Sequence, residues 1–264
     1  MTSRPLSIDA TLGARIQAEA DQAGLGAHRS LHRIAPTSIG RLAKFALPFI
    51  AITALAIYLY IYGDEGSVWV LGYFLATLWM ALGFGAATLG YDRLAYGTNS
   101  RLDLFDHGVV RSLRGRPRAV RYDAIQLLER KHFRSHRRAG VDAVTLTLIG
   151  SDGERLALNP GYDGQRVWVP AIEAGVVAGK LPSALAVIGA GGRAEFGELW
   201  VTATEVGNRA KRVPIAEITR IFVALGDAVF AEVGRRRVVL SKVRKTPDFV
   251  VFHALVDHLR GEPI

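Results

Sequence analysis

The chain has 264 residues, half of them hydrophobic, with 33 Lys and Arg against 24 Asp and Glu, for a formal net charge of +9. It contains no cysteine, which excludes disulfides, thiolate metal sites and a cysteine nucleophile. The positive charge is uneven, because residues 107–138 alone hold ten Lys and Arg and two Asp and Glu.

Two apolar runs dominate the first hundred residues. Residues 45–62 and 68–90 contain no charged side chain, and the short connection 63–67 between them carries Asp64 and Glu65. As helices the two runs would span about 27 and 34 Å, close to the roughly 30 Å hydrocarbon core of a bilayer. The sequence therefore predicts a two-helix transmembrane hairpin.

Charged flanks predict the orientation of this hairpin. Arg41 and Lys44 precede the first run and Arg93 and Arg101 follow the second, whereas the connection 63–67 is acidic. Positively charged flanks stay on the cytoplasmic side. We therefore expect a multi-pass protein of the plasma membrane with both termini in the cytoplasm.

The second apolar run also repeats small residues along one helical face, at Gly72, Ala76, Gly83, Ala87 and Gly90. Such a face lets two helices approach closely. Two interpretations remain open, namely packing within the hairpin and the seam of a homodimer.

The remaining chain divides into further predicted segments. Residues 1–40 form a polar N-terminal segment without assigned chemistry, and 41–92 contain the hairpin. Residues 100–190 and 193–264 each show short runs of alternating polar and apolar residues between turn signals, which are typical of antiparallel strands. Each of these two domains is predicted to end in a helix.

The two closing helices have different signals. The first is predicted from about Gln165 to Ile188, divided in two by Pro170, Gly175, Gly179 and Pro182. The second is predicted to begin after Thr246 as N-cap and to pack one apolar face on the sheet, with Phe252 in that face.

Three segments carry a resemblance to a known family. They are Asp106-His107-Gly108-Val109-Val110, Ala194-Glu195-Phe196-Gly197 and the run from Pro247 to Asp257. They resemble a family of uncharacterised bacterial membrane proteins, classed as a domain of unknown function, with tandem pleckstrin-homology-like domains. The resemblance implies an α+β fold, in which a two-helix transmembrane hairpin precedes two pleckstrin-homology-like antiparallel sheet domains, each closed by a C-terminal helix. It implies no catalytic residue.

Two short segments of similar sequence agree with tandem domains. Tyr122-Asp123-Ala124-Ile125 and Ile215-Ala216-Glu217-Ile218 each follow a basic turn.

A basic stretch between two predicted strands is the candidate functional site. Its cations are Arg130, Lys131, Arg134, Arg137 and Arg138. Each Lys or Arg held near an anionic membrane surface contributes about 1 kcal/mol. These five residues are therefore a candidate contact for anionic phospholipid headgroups. The alternative is an ordinary solvated hairpin that obeys the positive-inside rule.

Motifs for chemistry are missing from the sequence. There is no G-x-S-x-G elbow and no H-E-x-x-H pair. His132 and His136 are four residues apart, but the neighbouring cations oppose metal binding. We therefore expect no catalytic residue, no cofactor and no metal, and hence no enzyme.

The functional expectation is an integral membrane protein of unknown molecular function, most simply a membrane-tethered cytoplasmic interaction module. Its partner would be a protein or anionic lipid. A structural, oligomeric membrane scaffold is the alternative, and an uncharacterised enzyme is a remote one. Nucleic acid is not expected, because Phe133 is the only aromatic residue among the cations of the basic stretch.

Overall fold

The computed structural model of this protein describes residues 5–34, 100–132, 143–158, 161–224 and 227–261, together with Tyr58, Ile61, Tyr62, Gly72, Leu78 and Trp79. The chain divides into two units, one made of residues 1–33 and 101–264 and the other of residues 34–100. The elements described below belong to the first unit, which contains two halves.

The first half contains a helix, two antiparallel sheets and a second helix. Helix α1 covers Pro5–Gln22. The first sheet has the strand order β1-β2-β3-β4, with β1 His28–Arg33, β2 Arg101–Phe105, β3 Gly108–Leu113 and β4 Arg116–Arg121. The second sheet has the order β5-β6-β7, with β5 Gln126–His132, β6 Ala143–Ile149 and β7 Arg155–Leu158. Helix α2, Gln165–Gly189, follows.

The second half repeats this order of sheets and helix. Its four-stranded sheet has the order β11-β10-β9-β8, with β8 Ala194–Phe196, β9 Leu199–Val201, β10 Glu205–Gly207 and β11 Arg212–Pro214. Its three-stranded sheet has the order β12-β13-β14, with β12 Ile218–Ala224, β13 Ala228–Val233 and β14 Arg236–Lys242. Helix α3, Phe249–Leu259, is the last helix of the described chain.

A one-turn 3-10 helix joins the two sheets at the same place in each half. Tyr122–Ala124 lies between β4 and β5, and Ile215–Glu217 lies between β11 and β12. Tyr122 and Ile215, the first residue of each turn, are both buried. The two similar sequence segments therefore correspond to a repeated structural feature.

The N-terminal segment, in which the sequence predicts no strand, is part of the first half. Leu12, Ile16 and Ala20 recur at helical spacing on α1 and are buried against Phe105 and Val110. After α1 the chain forms β1, which pairs antiparallel with β2 from His28 opposite Phe105 to Arg33 opposite Arg101.

The predicted α+β fold class, with its two-helix transmembrane hairpin and two pleckstrin-homology-like domains, is wrong in that form. The described residues form three α-helices and four separate antiparallel sheets, so the fold is mostly β, and they show no two-helix transmembrane hairpin. Almost all of 45–62 and 68–90 lies outside the described residues. The error has a physical reason, because apolar length and composition do not distinguish a membrane span from a buried helix. The predicted domain boundaries stay a prediction.

Helix α2 illustrates this ambiguity. Among the described helices it alone is long and apolar enough to cross a membrane. Trp168, Ile172 and Val176 are nevertheless fully buried along one side of it, as in the core helix of a sheet protein. The described helices therefore give no support to a multi-pass topology.

The prediction that prolines divide this helix is also wrong. Pro170 and Pro182 both lie inside one continuous helix. Both are exposed, so the carbonyl groups that lose an amide partner to proline can bond to water.

The closing helix α3 links the two halves. Phe252 is fully buried, with its ring centroid 5.7 Å from that of Phe196. Asp248 precedes the helix at φ 55°, and its backbone N–H donates to Leu127 O. Its carboxylate accepts the Leu127 N–H at 2.7 Å and pairs with Lys180 of α2 at 2.6 Å.

Thr246 is not the N-cap of α3, contrary to the prediction. It is fully buried, and its hydroxyl donates to Lys242 O at 3.0 Å. Asp248 occupies the N-cap position, but its carboxylate makes no capping bond because it is engaged with the first half.

Candidate anion-binding surfaces

The predicted lipid-contact residues lie at and beyond the end of strand β5. Arg130 is paired with Thr145 of β6 and Lys131 with Val144, two positions and one position before the last pair, His132 with Ala143. The side chains of Arg130 and Lys131 lie outside the described part of the chain, as do Arg134, Arg137 and Arg138 entirely. The structure therefore places the strand that leads into the basic stretch, and it does not test the five residues as a site.

A second basic surface, which the sequence reasoning missed, lies on the four-stranded sheet of the second half. Its centre is Trp200 on β9, which is directly opposite Gly207 on β10. A Cβ at Gly207 would lie 2.5 Å from the indole ring, so glycine is required for the ring to lie across this strand. The indole N–H donates to Asn208 O at 3.3 Å and fixes the orientation of the ring.

Two arginines lie over this indole. The guanidinium carbon of Arg193 lies 5.6 Å from the ring centroid of Trp200, and that of Arg212 lies 5.8 Å from it. Both distances are within the range of cation–π attraction. Arg193 also forms an ion pair with Glu195, whereas Arg212 has no ion pair with a described acidic residue.

The turn between β10 and β11 adds two more cations beside Arg212. Arg209 and Lys211 are exposed. Asn208 organises the turn, because its side-chain oxygen accepts the N–H groups of Ala210 and Lys211, each at 2.8 Å. Its amide group donates to Leu240 O on β14, which ties the turn to the other sheet. We call Arg193, Trp200, Arg209, Lys211 and Arg212 the Trp200 surface.

One acidic residue partly neutralises a second arginine–aromatic cluster, on the three-stranded sheet of the same half. Arg220 and Arg237 lie 4.8 and 5.6 Å from the ring centroid of Phe222. Glu232 lies between these two arginines in the ladder and approaches both, at 3.3 and 4.0 Å. This cluster therefore offers less free positive charge than the Trp200 surface does.

Another acidic residue stands at the edge of the Trp200 surface. Glu198 receives a hydrogen bond from Lys245 at 2.8 Å and another from Ser241 at 3.2 Å. The Lys245 contact is the largest cause of the lowered pKa of Glu198, and the charge of Arg209 adds a smaller effect. Lys245 is therefore the main partner of Glu198, and Arg209 lies outside ion-pair distance of this carboxylate.

The buried charges of the first half have structural partners. Asp103 is 1% exposed, and its carboxylate accepts two hydrogen bonds from Arg101, at 2.8 and 3.1 Å. His28 lies 3.0 Å from the same carboxylate. This arrangement connects β1 to β2 and leaves the carboxylate without access to a substrate. Among the described residues, no group of three metal-ligating side chains comes together.

These features describe a class of protein with two β-rich repeats and exposed basic surfaces. The chain belongs to a family of unknown function, DUF6585, whose match covers residues 12–262. No curated protein matches it. The expectation of an uncharacterised family is confirmed, while the family itself assigns no activity to the residues above.

Proposed function

We propose that this protein is a non-enzymatic binding module that contacts anionic phospholipid headgroups at the cytoplasmic face of the plasma membrane. The contact would be made by Arg130, Lys131, Arg134, Arg137 and Arg138. The observation that carries the proposal is the β5–β6 pairing, which continues without a register shift to His132 and Ala143. The described residues on either side of segment 133–142 are therefore paired with each other at one end of this sheet.

The energetics favour an anionic surface over a neutral one. Each of the five cations contributes about 1 kcal/mol near an anionic leaflet, and this attraction falls off within a Debye length of about 8 Å at physiological salt. Several cations in a short segment can therefore hold one end of the sheet against a bilayer. Membrane association, bacterial origin and a pleckstrin-homology-like character of the two repeats belong to this proposal. The repeated order of four strands, three strands and a helix supports the last of these.

Vesicle flotation tests the proposal with the full chain. We expect stronger binding to vesicles that contain phosphatidylglycerol than to vesicles of phosphatidylcholine alone, and we expect this difference to shrink as salt is raised. A variant with all five cations changed to Ser should lose most of the difference.

A matched control removes the same charge elsewhere. It changes five exposed cations that form no described ion pair, Arg114, Arg116, Arg235, Arg236 and Lys242, to Ser. This control should retain most of the preference for anionic vesicles. Equal binding by the parent and the variant of the basic stretch would contradict the proposal and favour a protein partner.

A further inference from the structure

We propose that the Trp200 surface binds an acidic polypeptide segment of a partner protein. This inference does not depend on lipid binding, since it concerns different residues in the other repeat. It rests on three properties of the surface, namely its unneutralised charge, its rigidity and its lack of a projecting apolar anchor.

The charge of the surface is available to a partner. Arg209, Lys211 and Arg212 are exposed, and none of them forms an ion pair with a described acidic residue. Most other cations of this half are paired within the described chain, for example Arg244 with Asp227 at 3.1 Å. A run of carboxylates would therefore find partners here without displacing an existing ion pair of these three residues.

The surface is also ordered before any partner arrives. Asn208 holds the turn by three hydrogen bonds, because its backbone N–H donates to Lys211 O while its side chain accepts two amides of the turn. Lys211 is further tied to Val239 O at 3.4 Å. Because the backbone of the turn is already fixed, less conformational freedom is lost on binding, and such preorganisation lowers the cost of association.

The two arginines over the indole suit carboxylate groups. A guanidinium that lies over an aromatic ring uses its face for the stack and keeps the N–H donors at its edge. Those donors can form a bidentate contact with a carboxylate, which is stronger and more directional than a contact with a lysine. Arg212, which has no described acidic partner, is the better placed of the two arginines.

The shape of the surface favours a polypeptide over a bilayer. Amphipathic elements that lie in a membrane interface bury large apolar side chains in it. Trp200 instead lies flat over Gly207, with its N–H engaged by Asn208. In the described part of this half, Val239, at 43% exposure, is the only exposed large hydrophobic residue. The surface can therefore attract an anionic bilayer but has no anchor to insert into it.

A fluorescein-labelled peptide of alternating Glu and Ser is a suitable probe. In an extended chain its carboxylates lie about 7 Å apart along one face. We expect fluorescence anisotropy to show saturable binding of this peptide to the full chain, and no binding of the matched peptide with Gln in place of Glu.

Two triple variants with equal charge loss separate the site from the overall charge. Arg209→Ser, Lys211→Ser and Arg212→Ser together should weaken peptide binding at least about tenfold, since each removes an exposed charge contact. Arg235→Ser, Arg236→Ser and Lys242→Ser together should change it by less than about twofold. Similar losses in both variants would overturn the proposal.

The Arg212→Lys variant keeps the positive charge and removes the planar guanidinium that lies over the indole. We expect it to weaken binding several-fold, because lysine lacks the planar donors of arginine. The thermal melting curve of this variant should match that of the parent. Unchanged affinity would overturn the role of the Arg212 guanidinium. Binding of anionic vesicles that is lost in the triple variant of Arg209, Lys211 and Arg212, without binding of the acidic peptide, would overturn the choice of partner.

Discussion

The two halves of this protein differ in how far apart along the chain the first two strands of their four-stranded sheets lie. In the second half β8 and β9 are joined by only Gly197 and Glu198, whereas in the first half residues 34–100 separate β1 from β2. The first sheet is nevertheless fully paired from β1 to β4. Loop-closure entropy rises only slowly with loop length, so a long insertion between neighbouring strands is tolerated.

Side-chain contacts compensate for the missing short turn. Asp106 accepts the N–H of Ala27 at 2.9 Å and pairs with Arg29, which fixes the start of β1 beside the end of β2. In the second half the short turn carries a carboxylate of its own, Glu198, which is held by Lys245. The comparison shows that a repeat can keep its sheet when one connection becomes very long.

The largest effect is expected in the core beneath the closing helix of the second half. Phe252→Ala should destabilise the protein by about 3–5 kcal/mol, because the ring is fully buried and its loss leaves a cavity. Urea unfolding measures this change. Val187→Ala on the exposed side of α2, at 43% exposure, should cost less than about 0.5 kcal/mol. Equal costs would contradict the packing described here.

A similar core change tests whether the N-terminal segment belongs to the first half. Leu25 is fully buried with Phe105 and Val110, so Leu25→Ala should cost about 2–4 kcal/mol. Leu31→Ala, on β1 at 38% exposure, serves as its control and should cost much less. If Leu25→Ala left the unfolding midpoint unchanged, the segment would not be part of the folded repeat.

The contact between the halves should have a smaller effect. Asp248→Asn keeps an oxygen acceptor for Leu127 N–H and a side chain that tolerates positive φ, but it removes the ion pair with Lys180. We expect a loss of about 1–3 kcal/mol, because both side chains are largely shielded from solvent. A double-mutant cycle with Lys180→Met should show coupling between the two residues, and purely additive effects would argue against the pair.

The smallest effect concerns pH. The hydrogen bond from the Ala27 N–H is the largest cause that lowers the pKa of Asp106 below its usual 3.8, and the hydrogen bond from Arg29 is the second. A carboxyl group with a lowered pKa stabilises the fold above the unfolded-state pKa and loses this contribution as pH falls through the folded-state pKa. The stability advantage of the parent over Asp106→Asn should therefore be present at neutral pH and should shrink in strong acid. Glu198→Gln should show the same trend, since Lys245 lowers the pKa of Glu198.

Local patterns in the sequence predicted part of the fold. The polar–apolar alternation within residues 100–190 correctly predicted antiparallel strands such as β6, and the apolar face containing Phe252 correctly predicted α3. Strand β1 could not be found in this way, because the pattern is inverted there. Its Leu31 is exposed while His32 is 7% exposed, with its ring bonded to Ser30 and to Asp163 O.

The Trp200 surface could not be read from the sequence for a similar reason. In the sequence this surface is marked only by a single Trp and a short basic turn after Asn208. Their relation depends on a cross-strand register that places Trp200 opposite Gly207 and Gly207 opposite Arg212. The basic stretch that contains Arg130 was visible because charge clustering needs no register.

The comparison rests on the claim that residues 28–33 supply the first strand of the first sheet. The chain has no cysteine, so one engineered pair gives an unambiguous test. Ser30 and Leu104 are directly opposite each other on β1 and β2, whereas Leu31 faces the other side of the sheet. Mild oxidation of the full chain should cross-link Ser30→Cys with Leu104→Cys and leave Leu31→Cys with Leu104→Cys reduced. A missing cross-link in the first pair, or an equal one in the second, would contradict the shared plan of the two halves.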